Sequence, residues 1–152
     1  MTYQPRAHEI LLVEDSRMDI QLTREALHEL GLNHHLHVAY DGDEALAYLR
    51  TTLTSDTSPR PDLVLLDLNL PLTDGRKVLA AIKSDPKLCT IPVLILSSSS
   101  AASDIGDCYR LHANSYLVKP LEFGPFVNLM RSTCEYWLTQ VQLPHDVRRA
   151  HA

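Results

Sequence analysis

Carboxylate, hydroxyl and amine side chains follow the apolar runs of this sequence, and these residues are where chemistry could occur. They are Glu14, Asp15, Asp67, Ser97, Ser98 and Lys119. Carboxylates that lie close together repel one another, and Mg²⁺ would offset that repulsion because it prefers oxygen ligands. A carboxylate flanked by a divalent cation, an ammonium group and a hydroxyl is suited to phosphoryl transfer. If the fold brings these residues together, they therefore predict a magnesium-dependent phosphoryl-transfer site.

Short apolar runs alternate along the chain with segments of helical periodicity. The strand-like runs lie at residues 9–13, 36–40, 62–67, 92–96 and 115–118, and the helix-like segments at 16–30, 41–53, 76–84, 101–112 and 123–141. The stretches 63–66 and 93–96 are apolar at every position, which is typical of parallel strands buried on both faces. We therefore predict an α/β fold, with a doubly wound five-stranded parallel sheet and helices on both faces.

The polar residues named above stand at the ends of the predicted strands. The carboxyl ends of parallel strands meet at one edge of a doubly wound sheet, and functional sites lie beyond that edge. Asp67, Ser97 and Lys119 follow different strands, so we expect them to converge there with Glu14 and Asp15. The alternative is that each carboxylate only caps its following helix. That alternative leaves the hydroxyl and the amine at the same edge unexplained.

Composition and charge narrow the classes of partner. The chain has 152 residues, and 14 Lys and Arg against 19 Asp and Glu give a net charge of −5. An acidic chain is a poor match to a nucleic-acid backbone, and no apolar run approaches the roughly 20 residues that span a bilayer. With no signal-peptide core at its start, we predict a cytoplasmic protein without a nucleic-acid or membrane partner. We assign residues 9–141 to one domain, 1–8 to an extension and 142–152 to a tail.

The ordered set of motifs resembles the receiver domain of two-component response regulators. The motifs are Glu14-Asp15, residues 67–71 with Asp74-Gly75, Ser97-Ser98, Tyr116, and Lys119-Pro120. The resemblance spans roughly residues 9–140 and implies a flavodoxin-like receiver fold in a signalling protein that is not an enzyme. Glu14 is a departure, since Asp is the commonest residue at its position in this family.

The resemblance also implies a role for each matching residue. Asp67 is the implied phosphoacceptor, and Lys119 contacts the acyl phosphate. Glu14, Asp15 and Asp67 are the implied Mg²⁺ ligands, together with the backbone carbonyl of Asn69. Ser97 and Tyr116 are the implied switch pair, whose rearrangement follows phosphorylation. A cis peptide bond before Pro120 is a further implication of the resemblance.

A second resemblance concerns the partner. Residues 135–138 and 142–144, the loop 51–61 and the serines 97–99 are similar to those of small regulators that accompany cyanobacterial phytochrome histidine kinases. This resemblance implies a single-domain regulator with a sensor histidine kinase, a phytochrome, as phosphodonor. The downstream target would be another protein, which the sequence does not identify.

Two other functions remain as alternatives at this stage. A haloacid-dehalogenase-like phosphohydrolase also uses an Asp after an apolar strand, but it needs a second Asp two residues on, where this chain has Asn69. A receiver-like interaction module that is not phosphorylated is the other alternative. His34, His35 and His37 could form a metal site, although solvated strand or turn residues are the favoured interpretation.

The last predicted helix, residues 123–141, carries more apolar side chains than one buried face requires. Its core-facing stripe is predicted to comprise Phe123, Phe126, Met130, Cys134 and Trp137. Tyr136 and Leu138 lie off that stripe, and Val141 and Leu143 extend the apolar character beyond it. We predict a homodimer that uses this surplus, with Tyr136, Val141 and Leu143 at the contact. The alternative is that these residues only cover the edge of their own domain.

Overall fold

A computed structural model describes residues 6–144 as alternating strands and helices. The strands are β1 (His8–Val13), β2 (His34–Ala39), β3 (Leu63–Asp67), β4 (Val93–Ser97) and β5 (Ser115–Val118). The helices are α1 (Arg17–Leu30), α2 (Gly42–Thr54), α3 (Gly75–Ser84), α4 (Ala102–Arg110) and α5 (Phe123–Glu135), and a π-helical turn (Tyr136–Gln140) follows α5. Within the described range no helix has both the length and the apolar character that crossing a membrane requires.

The five strands form one parallel sheet in the order β2-β1-β3-β4-β5. The predicted fold class is therefore confirmed. The strand order reverses between β1 and β3, and such a reversal opens a crevice at the carboxyl edge of a parallel sheet. The register places Val13 beside Leu66, and Asp67 beside Leu96. The ends of β1, β3 and β4 consequently reach the same edge.

Both faces of the sheet are covered by helices. Along β3, Val64 and Leu66 face the core that α2, α3 and α4 cover, whereas Leu63 and Leu65 face the core under α1 and α5. All four side chains are fully buried. This two-sided burial explains why the run lacks an alternation of polar and apolar residues. Such a strand cannot move without disturbing both cores, so Asp67 at its end has a rigid support.

The turn before α1 differs in detail from a complete capping box, in which Ser16 and Asp19 would bond reciprocally. Ser16 Oγ accepts a hydrogen bond from the backbone N–H of Asp19 at 3.2 Å, as a capping serine does. In a complete box the residue at the Asp19 position would reach back to the Ser16 N–H. Here the carboxylate of Glu14 accepts from that N–H at 3.1 Å. The Asp19 carboxylate is therefore available for another partner.

The end of the last helix corrects part of the predicted pattern. Phe126, Met130 and Cys134 face the core as expected, but Phe123 is 60% exposed and Leu138 is buried. Leu138 follows Cys134 by four residues, a spacing that keeps both side chains on one helical face, so Leu138 belongs to the core-facing stripe. Leu143 is also buried, at 2% exposure.

The segment after the π-helical turn returns to the body of the domain. Leu143 and Pro144 lie near the amino ends of β3 and β4, beside Pro61, Ile91 and Pro92. A side chain buried in this way is already covered by its own chain. For Leu143 this burial favours the alternative of self-coverage, and its place at a dimer contact stays a prediction.

Candidate functional site

Three carboxylates meet where β1 and β3 end. One oxygen from each of Glu14, Asp15 and Asp67 lies within 4.8 Å of the others. Glu14 is 1% exposed and Asp67 6%, whereas Asp15 is exposed to solvent. The fold thus brings together the carboxylates that the sequence singles out. It buries two of them and leaves the third open to an incoming ligand.

Lys119 supplies the positive charge beside these carboxylates. It follows β5, and its backbone N–H donates to the Ser97 carbonyl at 2.8 Å, which continues the pairing of β4 and β5. Its Nζ lies 2.7 Å from Glu14 Oε2, 2.9 Å from Asp19 Oδ2 and 3.3 Å from Asp67 Oδ2. Asp19 is a contact that sequence reasoning missed. A signal existed, since Asp19 follows Asp15 by four residues, about one helical turn.

The pKa of Lys119 and that of Glu14 reflect this crowding. Burial alone would lower the pKa of Lys119, but its hydrogen bonds to Glu14 and Asp19 raise that pKa above the ordinary value. Burial raises the pKa of Glu14 to about 7, which the hydrogen bond from Lys119 opposes and the charge of Asp67 reinforces. One ammonium therefore does not fully compensate this set of carboxylates.

The donor set fits a hard divalent cation. Its atoms are carboxylate oxygens, which suit Mg²⁺ and Mn²⁺ rather than metals that prefer nitrogen or sulfur ligands. Burial, reinforced by the charge of Asp67, raises the pKa of Glu14, and a bound cation would favour its charged form. The exposed Asp15 leaves room for the water molecules that Mg²⁺ retains.

The backbone around Asp67 is held closely by the start of α3. The Asn69 N–H donates to Asp67 Oδ1 at 3.2 Å. A Cβ atom on Gly75 would lie 2.4 Å from the Asp67 carbonyl oxygen, so only glycine permits this approach. The Gly75 N–H also donates to the Leu68 carbonyl at 3.1 Å. These contacts fix the direction of the Asp67 side chain.

Ser97 and Tyr116 lie on neighbouring strands beside the acidic group. Ser97 is the last residue of β4 and is fully buried, with its Oγ accepting from the Ser99 N–H at 3.1 Å. Tyr116 lies in β5, and its hydroxyl donates to the Ser99 carbonyl at 2.9 Å. The two predicted switch residues are therefore joined through one intervening residue of the β4–α4 loop.

The comparison with known families agrees with this arrangement. Residues 10–131 match the model of the response regulator receiver domain. The chain belongs to this family. Proteins of the family are generally signalling proteins rather than enzymes. The matched range falls within the predicted domain 9–141.

Full-length relatives of the receiver domain are also found. Response regulator Rcp1 of Synechocystis sp. is 43% identical over 135 residues, which cover 89% of this chain and 92% of Rcp1. The solved structure of RcpA, described as a phosphorylated cyanobacterial phytochrome response regulator, is 45% identical with a TM-score of 0.86, covering 91% of this chain and 99% of RcpA. The Mn²⁺-bound form of Rcp1 is 42% identical with a TM-score of 0.84, covering 90% of this chain and 99% of the Rcp1 chain.

The backbone of this receiver departs from one family expectation. Residues 6–144 contain no cis peptide bond, so the implied cis bond before Pro120 is contradicted. Lys119 nevertheless reaches the acidic group, because β5 pairs with β4 up to Val118 and directs the next residue towards the site. The strand pairing alone is sufficient to position the amine.

Two of the three clustered histidines bind a carboxylate, and the third, His34, contacts the Leu32 carbonyl. His35 Nδ1 and His37 Nε2 each lie 2.8 Å from an oxygen of Glu9, which is buried at the start of β1. In the described part of the chain, the three metal-ligand residues that come within 4.8 Å of one another are Glu14, Asp15 and Asp67, and the histidines do not form such a group. The interpretation as fully solvated residues is also incomplete, because Glu9 holds both rings against the sheet.

The remaining predicted interface residues have mixed surroundings. Tyr136 is 56% exposed, and its ring packs edge-on against Trp137 at a centroid distance of 5.9 Å. Val141 is half-buried at the end of the π-helical turn. Tyr136 is thus the most accessible of the three residues predicted for a dimer contact, and that contact stays a prediction.

Proposed function

We propose that Asp67 accepts a phosphoryl group from a sensor histidine kinase, and that the modified receiver signals through a changed surface. The observation that carries this proposal is that Asp67 lies beside Lys119 and in one group with Glu14 and Asp15. A buried carboxylate with an ammonium at 3.3 Å and two further carboxylates beside it is arranged to attract a cation and an anionic phosphoryl group. We propose Mg²⁺ as the cation.

In the proposed reaction, an oxygen of Asp67 attacks the phosphorus of a phosphohistidine. The new P–O bond forms as the P–N bond of the donor breaks, and the imidazole leaves with a proton from solvent. A metal held by Glu14, Asp15, Asp67 and the Asn69 carbonyl would neutralise charge on the phosphoryl oxygens. Lys119 holds a proton on Nζ throughout, since its neighbours raise its pKa.

Phosphorylation then acts on Ser97 and Tyr116. The phosphoryl group adds about −1.5 to −2 charges and strong acceptor oxygens. The Ser97 hydroxyl is drawn to one of these oxygens, which requires it to give up its hydrogen bond with the Ser99 N–H. Tyr116, whose ring packs against the core and whose hydroxyl donates to the Ser99 carbonyl, is proposed to shift further inward into the vacated space. The outcome is a changed surface at α4, β5 and α5.

The proposed partners are inferred from the similarity of this chain to Rcp1 and RcpA. The likeness to RcpA, a cyanobacterial phytochrome response regulator, supports a phytochrome kinase as the donor for this chain. We propose that the protein works in the cytoplasm, that its output is binding to a further protein, and that it forms a homodimer through the α5 surface around Tyr136. The proposed extension and tail, residues 1–8 and 142–152, lie largely outside the described range 6–144; within that range, His8 begins β1 and Leu143 packs against the receiver.

Labelling with acetyl phosphate tests the function. The wild type incubated with acetyl phosphate and Mg²⁺ should give a retarded band on a Phos-tag gel, and Asp67→Asn should give none. The matched control is Asp56→Asn in the exposed loop after α2, at the opposite edge of the sheet. This control should label as the wild type does. An unlabelled wild type would favour the phosphorylation-independent module, and a labelled Asp67→Asn would move the phosphosite elsewhere.

A further inference from the structure

The loop between β3 and α3, residues 68–74, touches the start of α2 at two points. The Gly42 N–H donates to the Pro71 carbonyl at 3.4 Å, and the Thr73 hydroxyl donates to Asp43 Oδ1. A Cβ atom on Gly42 would lie 1.9 Å from the Thr73 carbonyl oxygen and 2.7 Å from the carbonyl carbon. Because these are backbone atoms, a side chain at position 42 could be accommodated only if the loop moved away from α2.

The start of α2 is itself held firmly at the carboxyl edge of the sheet. The carboxylate of Asp41 accepts from the Glu44 N–H at 2.7 Å, and Glu44 Oε2 accepts from the Tyr40 N–H at 3.2 Å. Immediately before this turn, the carbonyl of Ala39, the last residue of β2, accepts from the Glu14 N–H at 2.9 Å. The helix therefore begins next to a strand end that is bonded directly to the acidic group.

The backbone of Leu72 shows that the loop depends on these contacts. Leu72 has a φ of 62°, in the left-handed region, and its side chain is 76% exposed. A leucine does not favour this conformation, and exposure of the side chain offers little compensation, so the neighbouring structure must support it. The bonds of Pro71 and Thr73 to α2 lie on either side of Leu72. They therefore determine the path of the loop.

The path of this loop matters to the acidic group because Asn69 lies within it. The Asn69 N–H donates to Asp67 Oδ1 at 3.2 Å, and the Gly75 N–H donates to the Leu68 carbonyl at 3.1 Å. These bonds fix the two ends of the loop beside β3, whereas α2 fixes its middle. A backbone carbonyl cannot reorient as a side chain does, since its direction follows the planar peptide units on either side.

We propose that Gly42, Asp43 and Thr73 are positioning residues, which hold the β3–α3 loop against α2 and so direct the Asn69 carbonyl towards a divalent cation at the acidic group. The proposal rests on the function proposed above, because the cation and its Asn69 ligand are proposed there. Residues that orient metal ligands without touching the metal typically change metal affinity by about 10- to 100-fold.

The first measurement is the affinity for Mg²⁺ alone, by calorimetric titration. Gly42→Ala displaces the loop, and we expect about tenfold weaker binding. Thr73→Val removes the hydroxyl donor without a change of charge, and we expect about threefold weaker binding, because a single hydrogen bond is lost. Thr73→Ser keeps the donor and should bind as the wild type does. The matched control is Gly124→Ala in α5, where an added Cβ meets nothing within 4 Å.

The second measurement follows the Asn69 carbonyl itself. Asn precedes Leu in this sequence at residues 69–70 and 128–129. Protein with ¹³C-carbonyl Asn and ¹⁵N-Leu therefore gives one NMR signal for each pair, and Asn128 in α5 is an internal reference. Saturating Mg²⁺ should move the carbonyl resonance of Asn69 and not that of Asn128. In Gly42→Ala the Asn69 displacement at saturation should be smaller. A merely structural role would weaken Mg²⁺ binding but leave the displacement at saturation unchanged.

The outcomes separate this proposal from the one on which it rests. A wild type that binds no Mg²⁺ and is not labelled by acetyl phosphate overturns the proposed function, and the positioning role with it. A labelled wild type whose Asn69 resonance does not respond to Mg²⁺ overturns the positioning role alone. So do Gly42→Ala and Thr73→Val if they match Gly124→Ala in both measurements. If Gly42→Ala does not fold, the difference between Thr73→Val and Thr73→Ser in the same two measurements decides.

Discussion

Lys119 Nζ lies 2.7 Å from Oε2 of Glu14, which is closer than its 3.3 Å approach to Oδ2 of Asp67. The amine is thus held more closely by Glu14 and by Asp19, at 2.9 Å, than by Asp67, the proposed phosphoacceptor. A cation bound by Glu14 competes with Lys119 for the same carboxylate. We expect metal binding to release the amine for the phosphoryl group.

The first prediction concerns the stability that Lys119 provides. Lys119→Met leaves buried carboxylates without their cation, and removing one partner of a buried ion pair costs about 3–5 kcal/mol. Urea unfolding in EDTA should show a loss of this order, and Mg²⁺ should restore part of it. The control is Lys77→Met, an exposed lysine on α3. Equal stabilities of the two variants in EDTA would contradict the compensation by Lys119.

The second prediction is that Asp67→Asn keeps or raises the stability of the metal-free protein. The substitution removes one of the mutually repelling carboxylates, and the charge of Asp67 is one cause of the raised pKa of Glu14. Urea unfolding should therefore give a free energy of unfolding at least equal to that of the wild type. NMR titration should find the Glu14 pKa below about 7 in the variant. A marked loss of stability would show that Asp67 has a structural role beyond its charge.

The third prediction assigns different roles to the proposed metal ligands Asp15 and Glu14. Asp15 is exposed at the acidic group, whereas Glu14 is buried and bound to Lys119 and to the Ser16 N–H. Asp15→Ala should remove a direct ligand and reduce both Mg²⁺ affinity and phosphorylation. Glu14→Ala should reduce Mg²⁺ affinity less, because we expect Glu14 to act through water. Calorimetric titration of Mg²⁺ measures both, and equal losses would refute the division.

The fourth prediction separates the dimer contact from self-coverage on the last helix. Tyr136 is exposed, so Tyr136→Asp should weaken a homodimer in light scattering while leaving the melting temperature unchanged. Leu143 is buried, so Leu143→Asp should lower the melting temperature instead. Beryllofluoride should strengthen the wild-type dimer. A monomer with and without beryllofluoride at tens of micromolar would exclude the contact.

The fifth prediction concerns the cysteine thiols. Burial raises the pKa of Cys134 to about 12, and it raises that of Cys108 as well. The thiolate is the reactive form, so both should resist Ellman's reagent at pH 8 in the native protein. The half-buried Cys89 should react first, and urea should expose the other two. Peptide mapping identifies the labelled residue, and fast native labelling of Cys134 would contradict its burial.

The same pKa difference gives Cys134 a pH-dependent contribution to stability. An unfolded thiol ionises near its ordinary value of 9.0, whereas the folded thiol ionises at about 12. The contribution is therefore fully present below pH 9 and is lost as the pH rises towards 12. Urea unfolding at pH 8 and pH 10.5 measures this loss, and Cys134→Val should reduce it. A wild-type loss that persists unchanged in Cys134→Val would assign it to other groups, such as Tyr48.

The fold class and the central residues of the site, Asp15, Asp67 and Lys119, could be predicted from the sequence. Stretches such as 63–66 are apolar at every position, and only burial on both faces of a sheet makes that favourable. Once the strands are parallel, their carboxyl ends share an edge. Asp15, Asp67 and Lys119 stand immediately after strands, so their convergence follows from topology without knowledge of side-chain contacts.

Other features depend on which helix packs where, and sequence patterns do not contain that information. Asp19 reads as part of a cap, yet its carboxylate binds Lys119 a hundred residues away, because Glu14 takes the bond to Ser16 instead. The ion pair between Arg76 and Asp104 joins α3 to α4, two elements that no periodicity links. The sequence pattern predicts Leu143 as surplus apolar surface. It is buried because the segment after the π-helical turn packs near the amino ends of β3 and β4. Apolar patterning determines which faces must be covered, whereas the choice among possible covering partners is made by the packed tertiary structure.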